Sequence, residues 1–154
     1  MDKGGQGQKS KVIVDASVGA KWIIPGEPWE EHATILKEKI VSGDVTAYAP
    51  SLFLYEIASI VVKSMAIGAL TPKDCSEALD AIKLLGINIQ PVLWEDMIKI
   101  VDIAIKTNLT VYDSTYLYLC KKLDAKLVTA DEELKNRGEK VADVCFIEDF
   151  IQTF

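Results

Sequence analysis

Four carboxylates stand where an ordinary solvated acid is not expected: Asp15, Glu56, Asp113 and Asp131. Asp15 ends Lys11-Val12-Ile13-Val14, a β-branched apolar run of the kind buried on both faces of a sheet. Asp131 follows Lys126-Leu127-Val128-Thr129-Ala130 in the same way, so two strands deliver a carboxylate at their carboxyl ends, the edge where open α/β sheets bind ligands. Glu56 lies three residues after Phe53 and four before Ile60, on the inward stripe of an apolar helix. Asp113 opens a further helical segment, with Leu117 and Cys120 at i+4 and i+7 placing it on the buried face. The single Arg of the chain, Arg137, is distant in sequence from Asp15, Glu56 and Asp113. Two unit charges ~4 Å apart repel by about 4 kcal/mol at an effective dielectric near 20, so converging acids need an offsetting charge. Hard oxygen ligands of this kind suit Mg²⁺ or Mn²⁺. Asp is also a favoured helix N-cap, and Asp15, Asp113 and Asp131 each precede a plausible helix. Glu56 falls inside its helix, so capping does not account for the set.

The elements that must carry these residues alternate regularly. Strands are expected at Lys11 to Val14, Val45 to Ala49, Ile87 to Val92, Lys126 to Ala130 and Val144 to Ile147. Between them, helices are expected at Ser17 to Ile24, Glu30 to Val41, Leu52 to Gly68, Thr71 to Leu85, Glu95 to Lys106, Asp113 to Leu123 and Glu132 to Asn136, with a terminal turn at Glu148 to Thr153. Gly43 and Gly86 stop two of them, and Thr71-Pro72 is a cap followed by a first-turn proline. This order predicts a three-layer α/β/α fold around a mostly parallel, roughly five-stranded sheet. The apolar residues Phe53, Leu54, Ile57, Ile60, Val61, Met65 and Ile67 are divided between core and a possible partner face, with core preferred.

A chain of 154 residues fits one domain, here 11–154, behind a polar, Gly-rich segment 1–10 that is expected to be a disordered leader and lacks the apolar run of a signal peptide. No apolar stretch approaches the ~20 residues of a membrane span, so a cytoplasmic protein is expected. Cys75, Cys120 and Cys145 are odd in number and widely spaced, and they read as small buried thiols in a reducing compartment. With one histidine, His32, expected on a solvated helix face, and no Cys-x-x-Cys pair, the sequence argues against a zinc site. The net charge of −6 argues against a protein that coats nucleic acid, but not against an enzyme acting on it, because a bound dication reverses the local field.

The order Val-Asp15-Ala-Ser17, Leu-Tyr-Glu56-Ile, Tyr-Asp113-Ser-Thr-Tyr and Leu-Val-Thr129-Ala-Asp131-Glu-Glu-Leu resembles the PIN domain, and more specifically the compact VapC-type toxins. The resemblance covers about Val12 to Phe150. It implies a Mg²⁺- or Mn²⁺-dependent ribonuclease acting on RNA, usually a homodimer, held inactive by an antitoxin. It assigns Asp15, Glu56, Asp113 and Asp131 to the metal, with Ser17 and Thr129 supporting them through hydroxyl hydrogen bonds. Read from the residues alone, Ser17 can equally start the first helix, and Thr129-Ala-Asp-Glu132 has capping-box spacing. Where the family often carries Arg or Lys after the last Thr-x-Asp, this chain has Glu132 and Glu133, an acidic mouth. Lys21 and Lys63 are candidate phosphate contacts, and Trp22, Tyr55 and Tyr112 candidate stacking rings, with Trp22 and Tyr55 expected in the core. The competing reading is a noncatalytic scaffold of the same fold that binds RNA or protein, motivated by the acidic balance. An aspartyl-phosphate enzyme built on Asp15 is a weaker third, because the second acid such chemistry needs two positions on is here Ser17.

Overall fold

The protein is described here by a computed structural model covering residues 9–151. Strand β1 (Ser10–Val14) begins at Ser10, inside the segment expected to be leader; residues 1–8 of that segment lie outside the described residues. Helices α1 (Ala16–Ile23) and α2 (Glu30–Ser42) lead to β2 (Val45–Pro50), and α3 (Leu52–Ala66) and α4 (Pro72–Leu84) to β3 (Asn88–Gln90). Then come α5 (Trp94–Thr107), α6 (Val111–Leu123), β4 (Lys126–Thr129), α7 (Glu132–Gly138), β5 (Val144–Phe146) and α8 (Ile147–Ile151). The last part of the expected terminal turn, residues 152–154, lies outside the described residues.

The five strands form one sheet in the order β3-β2-β1-β4-β5, and every neighbouring pair is parallel. Parallel strands require crossover helices, and right-handed crossovers put outward-going and returning connections on opposite faces. Accordingly α1 to α4 pack among themselves, with α8 against α2, while α5, α6 and α7 form the other layer, α6 lying across β1, β2 and β4. The direction of winding reverses between β1 and β4, which opens a crevice at their carboxyl ends. Both strands are buried through Val12, Ile13, Val14, Leu127 and Val128, as a doubly covered parallel sheet demands.

Local signals explain most boundaries. Gly43 ends α2 in the left-handed conformation at φ 81. Thr71 and Asp74 form a reciprocal capping box on α4, with Pro72 in its first turn. Edge strand β3 is shorter than the expected Ile87 to Val92, since it pairs only with β2, and Pro91, following directly on Gln90, has no amide proton to extend the ladder. In α3, Phe53, Ile57 and Val61 are buried, but Leu54, Met65 and, just past its end, Ile67 are exposed, so the apolar run is wider than the face that packs. The three thiols are unpaired; Cys75 and Cys120 are buried as expected, and Cys145 is only half-buried. No helix among the described residues is long and apolar enough to cross a membrane.

Helices α1 and α3 meet at Gly19, where an added Cβ would lie 2.5 Å from Ile57 Cδ1 and 3.3 Å from Phe53 Cε2. This contact brings the helix after Asp15 against the helix bearing Glu56. Gly19→Val should lower the free energy of unfolding by about 1–3 kcal/mol through overpacking. The readout is a lower urea midpoint at constant slope; an unchanged midpoint would show that Ile57 swings aside.

Candidate functional site

The four acids reach one edge of the sheet through four different elements. Asp15 directly follows β1, and Asp131 lies two residues beyond β4. Because α3 leaves the carboxyl end of β2, its early residue Glu56 is at that edge, and because α6 returns to the start of β4, its first turn with Asp113 is there too.

Asp15 is 4% exposed. Its Oδ1 accepts from Ser17 Oγ at 2.6 Å and from the Val18 amide at 3.2 Å, and its Oδ2 accepts from Thr129 Oγ1 at 2.5 Å. It therefore caps α1 as well as occupying the strand end. The two hydroxyls in turn accept backbone amides: Ser17 Oγ from Ala130 at 2.9 Å and Thr129 Oγ1 from Asp131 at 3.0 Å. Each hydroxyl has one proton and spends it on Asp15, so their mutual 3.3 Å approach is a contact between acceptors. The result is a closed ring joining the ends of β1 and β4. Ser17 and Thr129 do not cap helices, since Asp15 caps α1 and Asp131 caps α7, accepting from the Leu134 amide at 3.1 Å. Burial pushes the Asp15 carboxyl up to about 6 against the pull of these hydrogen bonds, and the Asp131 charge adds to the rise.

Asp113 is not the cap of α6. The helix starts two residues earlier than expected, and Thr110 Oγ1 accepts the Asp113 amide at 3.1 Å. That leaves the half-buried carboxylate of Asp113 free of capping. Burial raises its pKa, followed by the charge of Asp131 and, more weakly, that of Glu133. Glu56 is also half-buried and raised, first by burial and to a lesser degree by Asp113, while its Oε1 accepts from Tyr116 Oη at 3.0 Å. Tyr116 is 1% exposed, and burial together with the charges of Glu56, Asp15 and Asp113 pushes its ionisation far above the usual range, so it stays a neutral donor. Sequence reasoning missed Tyr116. The available signal was its place three residues after Asp113, on the same helical face.

Asp15 and Asp113 thus feel the charge of Asp131, and Glu56 that of Asp113, with no cation among the described residues offsetting them. Among the described residues no Lys or Arg forms an ion pair with any of the four. Nor do three Asp, Glu, His or Cys side chains among the described residues close around a common ion position, so the expected four-carboxylate cage is not preformed. Glu133 is partly neutralised by Arg137 at 3.3 Å, and Arg137 also donates to the Asn108 carbonyl at 2.8 Å, pinning α7 to the loop before α6. Of the other candidates, Trp22 packs against the core, its indole donating to Ala33 O at 2.8 Å, and Lys21 is half-buried. Tyr55, expected in the core, is 76% exposed, and Tyr112 and Lys63 are exposed as well. His32, expected on a solvated helix face, is half-buried, with its ring edge-on to Trp29.

A sequence model described as the PIN domain matches residues 12–140. Ribonuclease VapC3 of Pyrobaculum aerophilum is 29% identical over 131 residues, 82% of this chain and 94% of that protein. The crystal structure of PAE2754 from Pyrobaculum aerophilum superposes with a TM-score of 0.69 at 20% identity, covering 94% of this chain and 88% of that one. That of Mycobacterium tuberculosis VapC20, described as a Sarcin-Ricin loop cleaving toxin, gives 0.64 at 15% identity, over 82% and 95% of the two chains. At these identities the superpositions establish the fold.

Proposed function

The chain belongs to the PIN domain family, and from that premise we propose that it is a Mg²⁺- or Mn²⁺-dependent endoribonuclease, the toxin of a toxin–antitoxin pair. The observation that carries this reading is Asp15, a buried carboxylate at the crevice between β1 and β4, facing other acids and no cation among the described residues. The likeness to a VapC ribonuclease and to a VapC toxin supports the class of substrate.

The residues fit a hard dication. All four donors are carboxylates, and no thiolate or imidazole lies among them. Mg²⁺ keeps several waters and takes one or two carboxylates directly, which agrees with acids that share a field without converging on one point. Asp15, Asp113 and Asp131 would hold the ion, with Asp15 the central carboxylate, and Glu56 would either hold it as well or orient the attacking water. When bound, the ion supplies a deprotonated water and offsets the charge that builds on the phosphoryl group. Ser17 and Thr129 fix the Asp15 carboxylate in one rotamer, so its oxygens are positioned before substrate arrives. Tyr116 holds Glu56 Oε1 and leaves Oε2 for the site. Arg137 takes up the charge of Glu133, which reduces the repulsion that an approaching phosphate meets at the acidic mouth. A homodimer and an antitoxin complete the reading, and the exposed Leu54, Met65 and Ile67 offer apolar area for such partners.

Cleavage of single-stranded and structured RNA with Mn²⁺ or with EDTA tests the proposal; cleavage indifferent to chelation and to Asp15→Asn would end it. Tyr116→Phe should lower kcat by roughly 10- to 100-fold, while costing only about 0.5–1.5 kcal/mol of stability. Unchanged kcat would remove Tyr116 from the site. The noncatalytic scaffold is favoured by one observation, that no group of acids is preformed as a cage among the described residues. Calorimetric titration with Mn²⁺ separates the two, since a scaffold shows no binding that depends on Asp15.

A further inference from the structure

Beside the acids, a groove of ≈ 330 Å³ runs along α3, lined by Ala16, Tyr55, Glu56, Ser59, Ile60 and Lys63. Two of its walls belong to the acidic edge: Glu56 itself and Ala16, the residue after Asp15. Tyr55, Ser59 and Lys63 recur at intervals of four, so an aromatic ring, a hydroxyl and an ammonium form one exposed stripe of the helix. Among the described residues neither the Tyr55 nor the Lys63 side chain has a hydrogen-bond or ion-pair partner.

We infer that this groove is a nucleotide subsite: Tyr55 stacks on an unpaired base and Lys63 pairs with a phosphate flanking the scissile one. The inference rests on the ribonuclease reading and adds to it the direction in which the strand leaves the acids. A flat aromatic face and a cation are the two elements of single-strand recognition, and the hydroxyl of Ser59 suits a ribose or base edge. Lys63 is seven residues beyond Glu56, a rise of about 10 Å along the helix, so it meets a neighbouring phosphate rather than the reacting one. A base within a duplex has no free face for Tyr55, so the site selects loops and single strands. A protein partner is a poorer match for this groove. The apolar alternative lies on another side of α3, where Leu54, Leu79, Ile82 and Ile89 line a separate depression.

The test is the affinity of a labelled single-stranded oligoribonucleotide for the full chain in EDTA, together with KM and kcat for its cleavage in Mn²⁺. Tyr55→Ala should weaken binding roughly 5- to 150-fold, and Tyr55→Phe, which keeps the ring, should bind like the wild type. Lys63→Gln should weaken binding and flatten the salt dependence by about 0.7 in the log–log slope. In cleavage, both losses appear in KM, with kcat retained. If the wild type cleaves RNA while Tyr55→Ala and Lys63→Gln leave KM unchanged, the subsite is wrong and the nuclease stands. If the wild type cleaves no RNA at all, the ribonuclease reading falls and the subsite with it. Sedimentation supplies the remaining outcome: should Tyr55→Ala split a dimer without altering KM, the groove is a contact between copies and not a nucleotide site.

Discussion

Asp15→Asn is expected to reduce RNA cleavage by roughly 10³-fold or more, with the fold intact. An ion held at a carboxylate contributes several kcal/mol of transition-state stabilisation, and each 1.36 kcal/mol is a factor of ten in rate. Asn removes the charge while keeping the shape. Its Oδ1 still accepts from Ser17 and Val18, and its amide meets Thr129 Oγ1 once that hydroxyl turns to accept. Circular dichroism and urea midpoint should therefore show a native protein that neither cuts RNA nor binds Mn²⁺ at this site. Full activity in the variant would remove Asp15 from the chemistry.

The second large effect is on stability in metal-free buffer. The Asp15 pKa rises from 3.8 in the unfolded chain to about 6 when folded, so the native state binds that proton more tightly than the unfolded state. The associated stabilisation is fully present below about pH 4 and is lost as pH rises through about 6. A rise of this size corresponds to a loss on the order of 3 kcal/mol. The raised pKa values of Glu56 and Asp113 act in the same direction. At pH 7 without metal, Asp15→Asn should consequently be more stable than the wild type, and the difference should shrink toward pH 4. Adding Mn²⁺ should stabilise the wild type alone. Parallel pH profiles for the two proteins would show that burial does not strain Asp15.

Much of this architecture is written in local patterns. Val12-Ile13-Val14 and Leu127-Val128 announce buried strands, and Thr71-Pro72 announces a helix start, because each depends on near neighbours in the chain. The carboxylates are legible for the same reason: an acid ending a β-branched run, or standing on an apolar stripe, breaks a pattern that is otherwise consistent. What could not be read depends on tertiary partners. Asp113 passes for a cap until Thr110 is seen to occupy that position. Tyr55 passes for core because α3 carries more apolar residues than it buries, and helical periodicity does not say which stripe faces inward. The bond from Tyr116 to Glu56 joins residues 60 apart, and nothing near either residue encodes it. Spacing likewise brings four acids to one edge without specifying how closely their oxygens approach.

The hydrogen bond between Asp15 and Thr129 spans 114 positions of sequence. During synthesis at roughly 5–20 residues per second, the amino-terminal half of that pair waits several seconds for its counterpart to be translated. No truncated product ending before β4 can assemble the ring, because Thr129 and the Ala130 and Asp131 amides that complete it are then missing. The order of residues along the polypeptide thus fixes when these two strand ends can be joined, after most of the message has been read.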